Sequence, residues 1–228
     1  MRSTTTKKPS PPSTLRAAIG ASVAARLDAN PDGARVKTDK IDAFHFHDFL
    51  SDAECRMLVA LIDKGRRPST LLSAAHDPNF RTSESCDLER FSPDVRPIDE
   101  RIAQTLGIAP ENGETMQGQR YAPGQQFRAH HDYFHDGEPY WEEVTRQGGQ
   151  RSWTAMIFLN DVAEGGATWF PQAGMRVKPR KRTLLIWNNM AADGSPNPLT
   201  LHEGMAVIEG TKYIVTKWFR EGIWYRPR

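Results

Sequence analysis

The stretch QGQRYAPGQQFRAHHDYF, residues 117–134, sets two runs of alternating character on either side of Pro123-Gly124. Alternate side chains of a strand share a face, and Pro-Gly is a turn signal, so the segment is read as two consecutive β-strands. The same pattern continues to the C-terminus. SWTAMIFLN, ATWFP, MRVKP, TLLIWNN, TLHEGMAVI and KYIVTKWF are short runs rich in β-branched and aromatic residues. Gly148-Gly149, Gly165-Gly166, Gly174 and Asp193-Gly194 separate them. Many short strands at this spacing predict an antiparallel sandwich or barrel. No internal repeat is present.

Upstream the period changes. Ser51-x-x-Glu54 is a capping box, followed by a helical stripe of Met57, Leu58, Leu61 and Ile62 that Gly65 ends. A second helix is expected from Pro97, with Ile98, Ile102 and Leu106 on one face and Gly107 as its stop. IDAFHFHDFL, beginning at Ile41, reads as a strand. Before it, MRSTTTKKPSPPSTLR is rich in Ser, Thr, Pro and Lys. Asn30-Pro31-Asp32-Gly33 breaks any short helix that starts after residue 16. The organisation expected is a disordered or weakly ordered tail over residues 1–38 and one folded domain over 39–228.

The totals narrow the function classes. A chain of 228 residues with 38% hydrophobic residues supports one sizeable core. No apolar run is long enough for a membrane span, and without an apolar stretch near the N-terminus no secretory signal is expected. A net charge of +2 gives no case for a nucleic-acid partner. The basic run from Arg176 to Arg182 reads as a solvated turn. Two cysteines, Cys55 and Cys86, are expected as reduced, partly buried thiols in a cytoplasmic protein.

Within AHHDYF the alternation puts His130 and Asp132 on one face and His131 and Tyr133 on the other. An imidazole and a carboxylate two residues apart can hold one cation together. TLHEGMAVIEGTKYIVTKWF adds a distant histidine, His202. Two histidines and one carboxylate leave the far side of an ion open, which suits a non-haem Fe(II) oxygenase; neither cysteine is needed. Ile208-Glu209-Gly210 is read as a hairpin loop that places Ala206 opposite Lys212. That register puts Lys212 on the His202 face, roughly 13 Å along the sheet, with the small residues Gly204 and Ala206 between. A buried lysine there needs an anion, and a cosubstrate carboxylate would supply it.

FLSDAEC, RTSESCDL, RYAPGQQFRAHHDYF, GGQRSWTAMIFLNDVAEGGATWFP and LHEGMAVIEGTKYIVTKWF, in this order over roughly residues 41–226, resemble the prolyl 4-hydroxylase family of Fe(II)/2-oxoglutarate-dependent dioxygenases. The resemblance implies a mainly β (α+β) fold, a double-stranded β-helix or jelly roll flanked by N-terminal helices. It implies His130, Asp132 and His202 as iron ligands, Lys212 and Thr168 on the distal carboxylate of 2-oxoglutarate, and Tyr121, Arg151 and Trp218 along the peptide side. It implies an oxidoreductase that uses Fe(II), 2-oxoglutarate and O2, with ascorbate as an accessory, and hydroxylates a prolyl residue in a peptide or protein with release of succinate and CO2. Hydroxylation of a free amino acid or other small molecule at the same site, and a non-catalytic jelly-roll binding module, are the alternatives. Two departures stand out. Phe127 replaces a tyrosine that reaches 2-oxoglutarate in many relatives, and Arg182 stands where relatives often have Gly before a strand.

Overall fold

In the computed structural model, which describes residues 10–71 and 77–225, two antiparallel sheets face one another and the longer helices cover the outer face of the larger one. The large sheet runs Gly33–Arg35, Ala43–Phe46, Thr183–Asn188, Arg151–Phe158, Lys212–Arg220, Gln117–Tyr121, Glu84–Asp87, Arg67–Pro68. The small sheet runs Met175–Val177, Thr168–Phe170, His202–Gly204, Phe127–His130. The chain passes repeatedly from one sheet to the other, the connectivity of a jelly roll.

Period-two alternation explains how one strand serves two cores. In Arg151–Phe158, Trp153, Ala155 and Ile157 face the helices while Met156 and Phe158 face the small sheet. In Thr183–Asn188, Leu184 and Ile186 point to the helices; Leu185 and Trp187 point between the sheets. Such strands are buried on both faces, which is why they read as nearly continuous apolar runs.

Helix Asp52–Gly65 begins at Ser51 with the reciprocal capping box, and it buries Cys55, Leu58 and Ile62. Met57 and Leu61 are only partly buried at the edge of that core. A Cβ on Gly118 would lie 2.4 Å from Ile62 Cγ1, so this glycine is what lets the helix sit directly on the sheet. Helix Arg96–Leu106 carries Pro97 in its first turn and ends at Gly107, whose φ of 69° is left-handed.

The expected tail is ordered over most of its length. Helix Thr14–Asp28, capped by the Ser13 hydroxyl, buries Val23, Ala24 and Leu27 against the main core, and Gly33–Arg35 pairs with Ala43–Phe46. Ser10 is also buried, hydrogen-bonded to Asp136 and Gln150. The short helix allowed after residue 16 is thus present, begins three residues earlier and is packed on the core, and it ends before Asn30-Pro31 as expected. Its apolar stripe combines alanine and glycine with three large side chains, Ile19, Val23 and Leu27, each one turn apart. Residues 1–9 of the expected tail lie outside the described residues. Among the described residues, no helix is long and apolar enough to cross a membrane.

The anticipated hairpin between residues 206 and 212 does not form. Gly210 does take a positive φ of 90°, but Val207–Glu209 pairs with Glu164–Gly165. Lys212–Arg220 lies instead in the large sheet, between Gln117–Tyr121 and Arg151–Phe158. The short link between the two segments is a crossover from one sheet to the other. Alternation determines which residues share a face; it does not select the pairing partner.

Arg182 has a φ of 67°, the conformation glycine adopts without strain. Its Nε donates to the Leu50 carbonyl at 2.6 Å, and an ion pair with Asp48 helps hold the turn. The difference from glycine at this position stays within the loop.

Candidate metal centre

His130 and His202 stand directly opposite each other on paired strands of the small sheet, with ring centroids 4.4 Å apart. The strand Phe127–His130 ends there, and the bend that follows turns the Asp132 carboxylate onto both rings. His130 Nε2 is 3.9 Å from Asp132 Oδ1, and His202 Nε2 is 3.9 Å from Oδ2. One donor atom from each residue lies within 4.8 Å of the other two. The expected convergence of these three residues is therefore present. Asp132 reaches it from just beyond the strand rather than within it.

The protonation states suit a metal. His130 Nδ1 is 2.8 Å from the Arg128 carbonyl and His202 Nδ1 is 3.0 Å from the Thr200 carbonyl. A carbonyl only accepts, so both Nδ1 atoms carry the proton and both Nε2 lone pairs point inward. Burial, and then the neighbouring His202, push His130 down to about 3, so it is neutral at physiological pH. Burial alone would raise the Asp132 carboxyl. The facing imidazoles, Arg151 and a hydrogen bond from Thr154 outweigh it and keep Asp132 below the usual carboxylate range. Phe127 stacks on His130 at 3.6 Å and Phe170 on His202 at 5.1 Å, fixing both rings.

Two supporting residues were not anticipated. Thr154 Oγ1 donates to Asp132 Oδ2 at 2.7 Å and accepts from Asn189 Nδ2 at 2.9 Å; both side chains are fully buried. The available signal was a threonine within SWTAMIF, in a run otherwise apolar after Ser152.

Lys212 reaches the same cleft from the large sheet, not along the His202 strand. It is 1% exposed, its Nζ lies 5.2 Å from the Tyr121 ring centroid, and no carboxylate pairs with it among the described residues. Burial pushes it down to about 7. Thr168 lines the cleft on the small sheet, and the nearest acceptor for its hydroxyl is Met156 Sδ at 4.0 Å, a weak partner. The site thus combines two neutral imidazoles, a carboxylate, a lysine lacking a counter-anion and a hydroxyl available to a ligand. That set fits a divalent cation together with an organic diacid.

Tyr121 and Trp218 also line the cleft. The Tyr121 hydroxyl donates to Gln119 at 2.7 Å, and the buried Trp218 Nε1 has no partner among the described residues. Arg151 does not line it. Glu114 binds its guanidinium at 2.6 and 2.7 Å, and the group lies 4.1 Å from the Trp218 ring centroid. Its contact with the expected peptide side is therefore through Trp218.

Residues 116–220 match the family model of the 2OG-Fe(II) oxygenase superfamily. The chain is 37% identical over 201 residues to a probable prolyl 4-hydroxylase of Arabidopsis thaliana, covering 78% of this chain and 68% of that one. A viral collagen prolyl hydroxylase from Paramecium bursaria Chlorella virus-1, solved as a 2OG complex, superposes with a TM-score of 0.63 at 26% identity, over 85% of this chain and 98% of that one. A Trichoplax adhaerens prolyl hydroxylase, solved with a hypoxia inducible factor peptide fragment, shares the fold with a TM-score of 0.60 at 14% identity, over 90% of each chain.

Proposed function

This chain belongs to the prolyl 4-hydroxylase family of Fe(II)- and 2-oxoglutarate-dependent dioxygenases, and from that premise we propose that its cleft hydroxylates a prolyl residue within a peptide or protein. His130, Asp132 and His202 would hold the iron through two Nε2 atoms and one carboxylate oxygen. When bound, the ferrous ion with 2-oxoglutarate and O2 supplies the oxidising chemistry, in which the cosubstrate becomes succinate and CO2 and a C–H bond gains oxygen.

The chain's own residues do the rest. Lys212 would hold the distal carboxylate of 2-oxoglutarate, gaining the counter-anion its burial demands, and Thr168 would donate to the same group. With the dianion and iron bound, the charges of Asp132 and Lys212 bring the pocket to neutrality, so it tolerates exclusion of water. Thr154 and Asn189 hold the Asp132 carboxylate in place. Trp218 and Tyr121 form the wall against which the prolyl ring is aimed, with Arg151 fixing Trp218 from behind. The absence of a hydroxyl at Phe127 shifts cosubstrate binding onto Lys212 and Thr168.

The observation that carries this reading is a fully buried lysine that has no carboxylate partner among the described residues and faces a His-Asp-His cluster across one cleft. The peptide reading draws support from the Trichoplax relative, whose structure holds a peptide fragment. Ascorbate as an accessory reductant follows from the family chemistry. A cytoplasmic setting, expected from the sequence, is part of the same proposal. In the test, protein supplied with Fe(II), 2-oxoglutarate and O2 converts proline-containing peptide to hydroxyproline and leaves free proline unchanged. Turnover of free proline alone would move the assignment to a small-molecule hydroxylase.

A further inference from the structure

We propose that Gln150 is a positioning residue for Asp132, and that the N-terminal segment around Ser10 and Arg16 completes its hold as a strap across the two loops that carry the ligands. The proposal rests on the iron site assigned above.

Asp132 stands in a bend that no ladder holds. His130 is fixed by pairing with His202, but its strand ends there. Among the described residues, the N–H and carbonyl groups of Asp132, Tyr133 and Phe134 make no hydrogen bond to another backbone group. Gln150 takes the place of a paired strand. Its side chain is fully buried, its Oε1 accepts from the Phe134 N–H at 2.9 Å, and its Nε2 donates to the Phe134 carbonyl at 2.7 Å. One amide satisfies both polar groups of one residue, as a ladder neighbour does. The backbone of Asp132 is thus anchored on one side at His130 and on the other at Phe134. Thr154 then orients the carboxylate itself.

Gln150 is held in turn from two sides. Its N–H donates to Glu221 Oε1 at 2.7 Å, and its carbonyl accepts from the Glu221 N–H at 2.8 Å. Glu221 pairs with Arg16 Nη1 at 3.1 Å. Gln150 Nε2 also donates to Ser10 Oγ at 2.9 Å, and Ser10 donates onward to Asp136 in the same loop. Ser10 is 3% exposed and Arg16 7%, so these bonds are shielded from water and strengthened. The same segment reaches the other loop. The Ser13 N–H donates to the Asp193 carbonyl at 3.0 Å, and Arg16 Nε to that of Gly194 at 2.6 Å. A Cβ on Gly194 would lie 2.1 Å from the Ser13 carbonyl oxygen, so the segment lies directly on the loop. That loop runs on to His202. The Asn197 N–H within it donates to the Asn189 carbonyl at 2.9 Å, and Asn189 is the residue that holds Thr154. Residues 10–16 therefore brace both approaches to the metal, and none of them lines the cleft.

The test reads metal binding rather than turnover. The Kd for Fe(II) is measured by anaerobic calorimetric titration for wild type, Gln150→Met, Ser10→Ala, their double variant and Leu27→Ala. Co(II) absorption reports the ligand geometry in each. Methionine keeps the volume of glutamine and loses its amide. Gln150→Met should weaken Fe(II) about 10- to 100-fold and change the Co(II) spectrum. Ser10→Ala should weaken it about two- to tenfold. The double variant should lose less than the product of the two, because Ser10 acts through Gln150. Ser10→Ala removes a single hydroxyl, so it tests the strap even if Gln150→Met does not fold. Leu27→Ala removes core packing alone and should keep the wild-type Kd and spectrum. Wild-type affinity in Gln150→Met would overturn the positioning role, and wild-type affinity in Ser10→Ala would overturn the strap. An equal loss in Leu27→Ala would reduce both effects to general destabilisation and overturn the proposal. A wild type that binds Fe(II) no better than Asp132→Ala would instead end the iron reading, and the proposal with it.

Discussion

Replacing Lys212 with methionine separates what the lysine does to the fold from what it does for the cosubstrate. Burial lowers its pKa from 10.5 to about 7 in the ligand-free protein. Below pH 7 the lysine is protonated in both folded and unfolded chains, and folding must bury the full charge. Between about 7 and 10.5 folding releases the proton, and the unfavourable contribution shrinks as pH rises; above 10.5 it is gone. The gap corresponds to roughly 5 kcal/mol. Lys212→Met should therefore be more stable than wild type by several kcal/mol at pH 6, with the advantage declining toward zero near pH 10. Holding 2-oxoglutarate works in the opposite direction. Loss of a buried charge-assisted partner removes about 2–5 kcal/mol of binding, at least about 30-fold in Kd. Urea unfolding of both proteins across this pH range, and melting with Fe(II) and 2-oxoglutarate under argon, read the two effects. Superimposable unfolding curves at pH 6, or a 2-oxoglutarate stabilisation that survives the substitution, would refute the reasoning.

Thr154→Val deprives Asp132 of its hydroxyl donor and Asn189 of its acceptor. Fe(II) affinity should fall about 10- to 100-fold in anaerobic calorimetric titration, and unchanged affinity would show that the contact does not orient the ligand. Leu27→Ala should cost about 2–5 kcal/mol in chemical denaturation, because Leu27 is 1% exposed in the core; a cost near zero would return residues 14–28 to a tail. Arg182→Gly should stay within about 1 kcal/mol of wild type, relief of the positive φ offsetting the lost hydrogen bond. Arg182→Ala keeps the strain without the bond and should be the less stable variant by equilibrium unfolding.

The metal cluster was legible because its logic is local. His130 and Asp132 follow from alternation within one short segment, and His202 lies in a run whose character marks it as a strand. The layers of the fold follow from the same period, with the helices read from a capping box and a left-handed glycine. What escaped depends on which elements become neighbours. Lys212 was expected along the strand of His202 and instead faces it from the other sheet. Val207–Glu209 found its partner at Glu164–Gly165, forty residues upstream, and no residue near the loop specifies that choice. Thr154 and Asn189 are buried polar side chains whose bonding emerges only when three separate segments meet. The packing of helix Thr14–Asp28 escaped for another reason: alanine and glycine give little contrast between its faces, so a short helix could be read but not its place on the core.

His130, Asp132 and His202 acting as one iron site are the centre of the proposed reaction, and succinate release tests this most directly. Purified protein is loaded anaerobically with Fe(II) and 2-oxoglutarate, exposed to O2, and its succinate measured beside that of Asp132→Ala, with circular dichroism confirming that both are folded. The expected result is O2-dependent succinate from the wild type and background alone from the variant. Equal succinate from the two proteins would contradict the assignment of His130, Asp132 and His202 as the centre of the reaction.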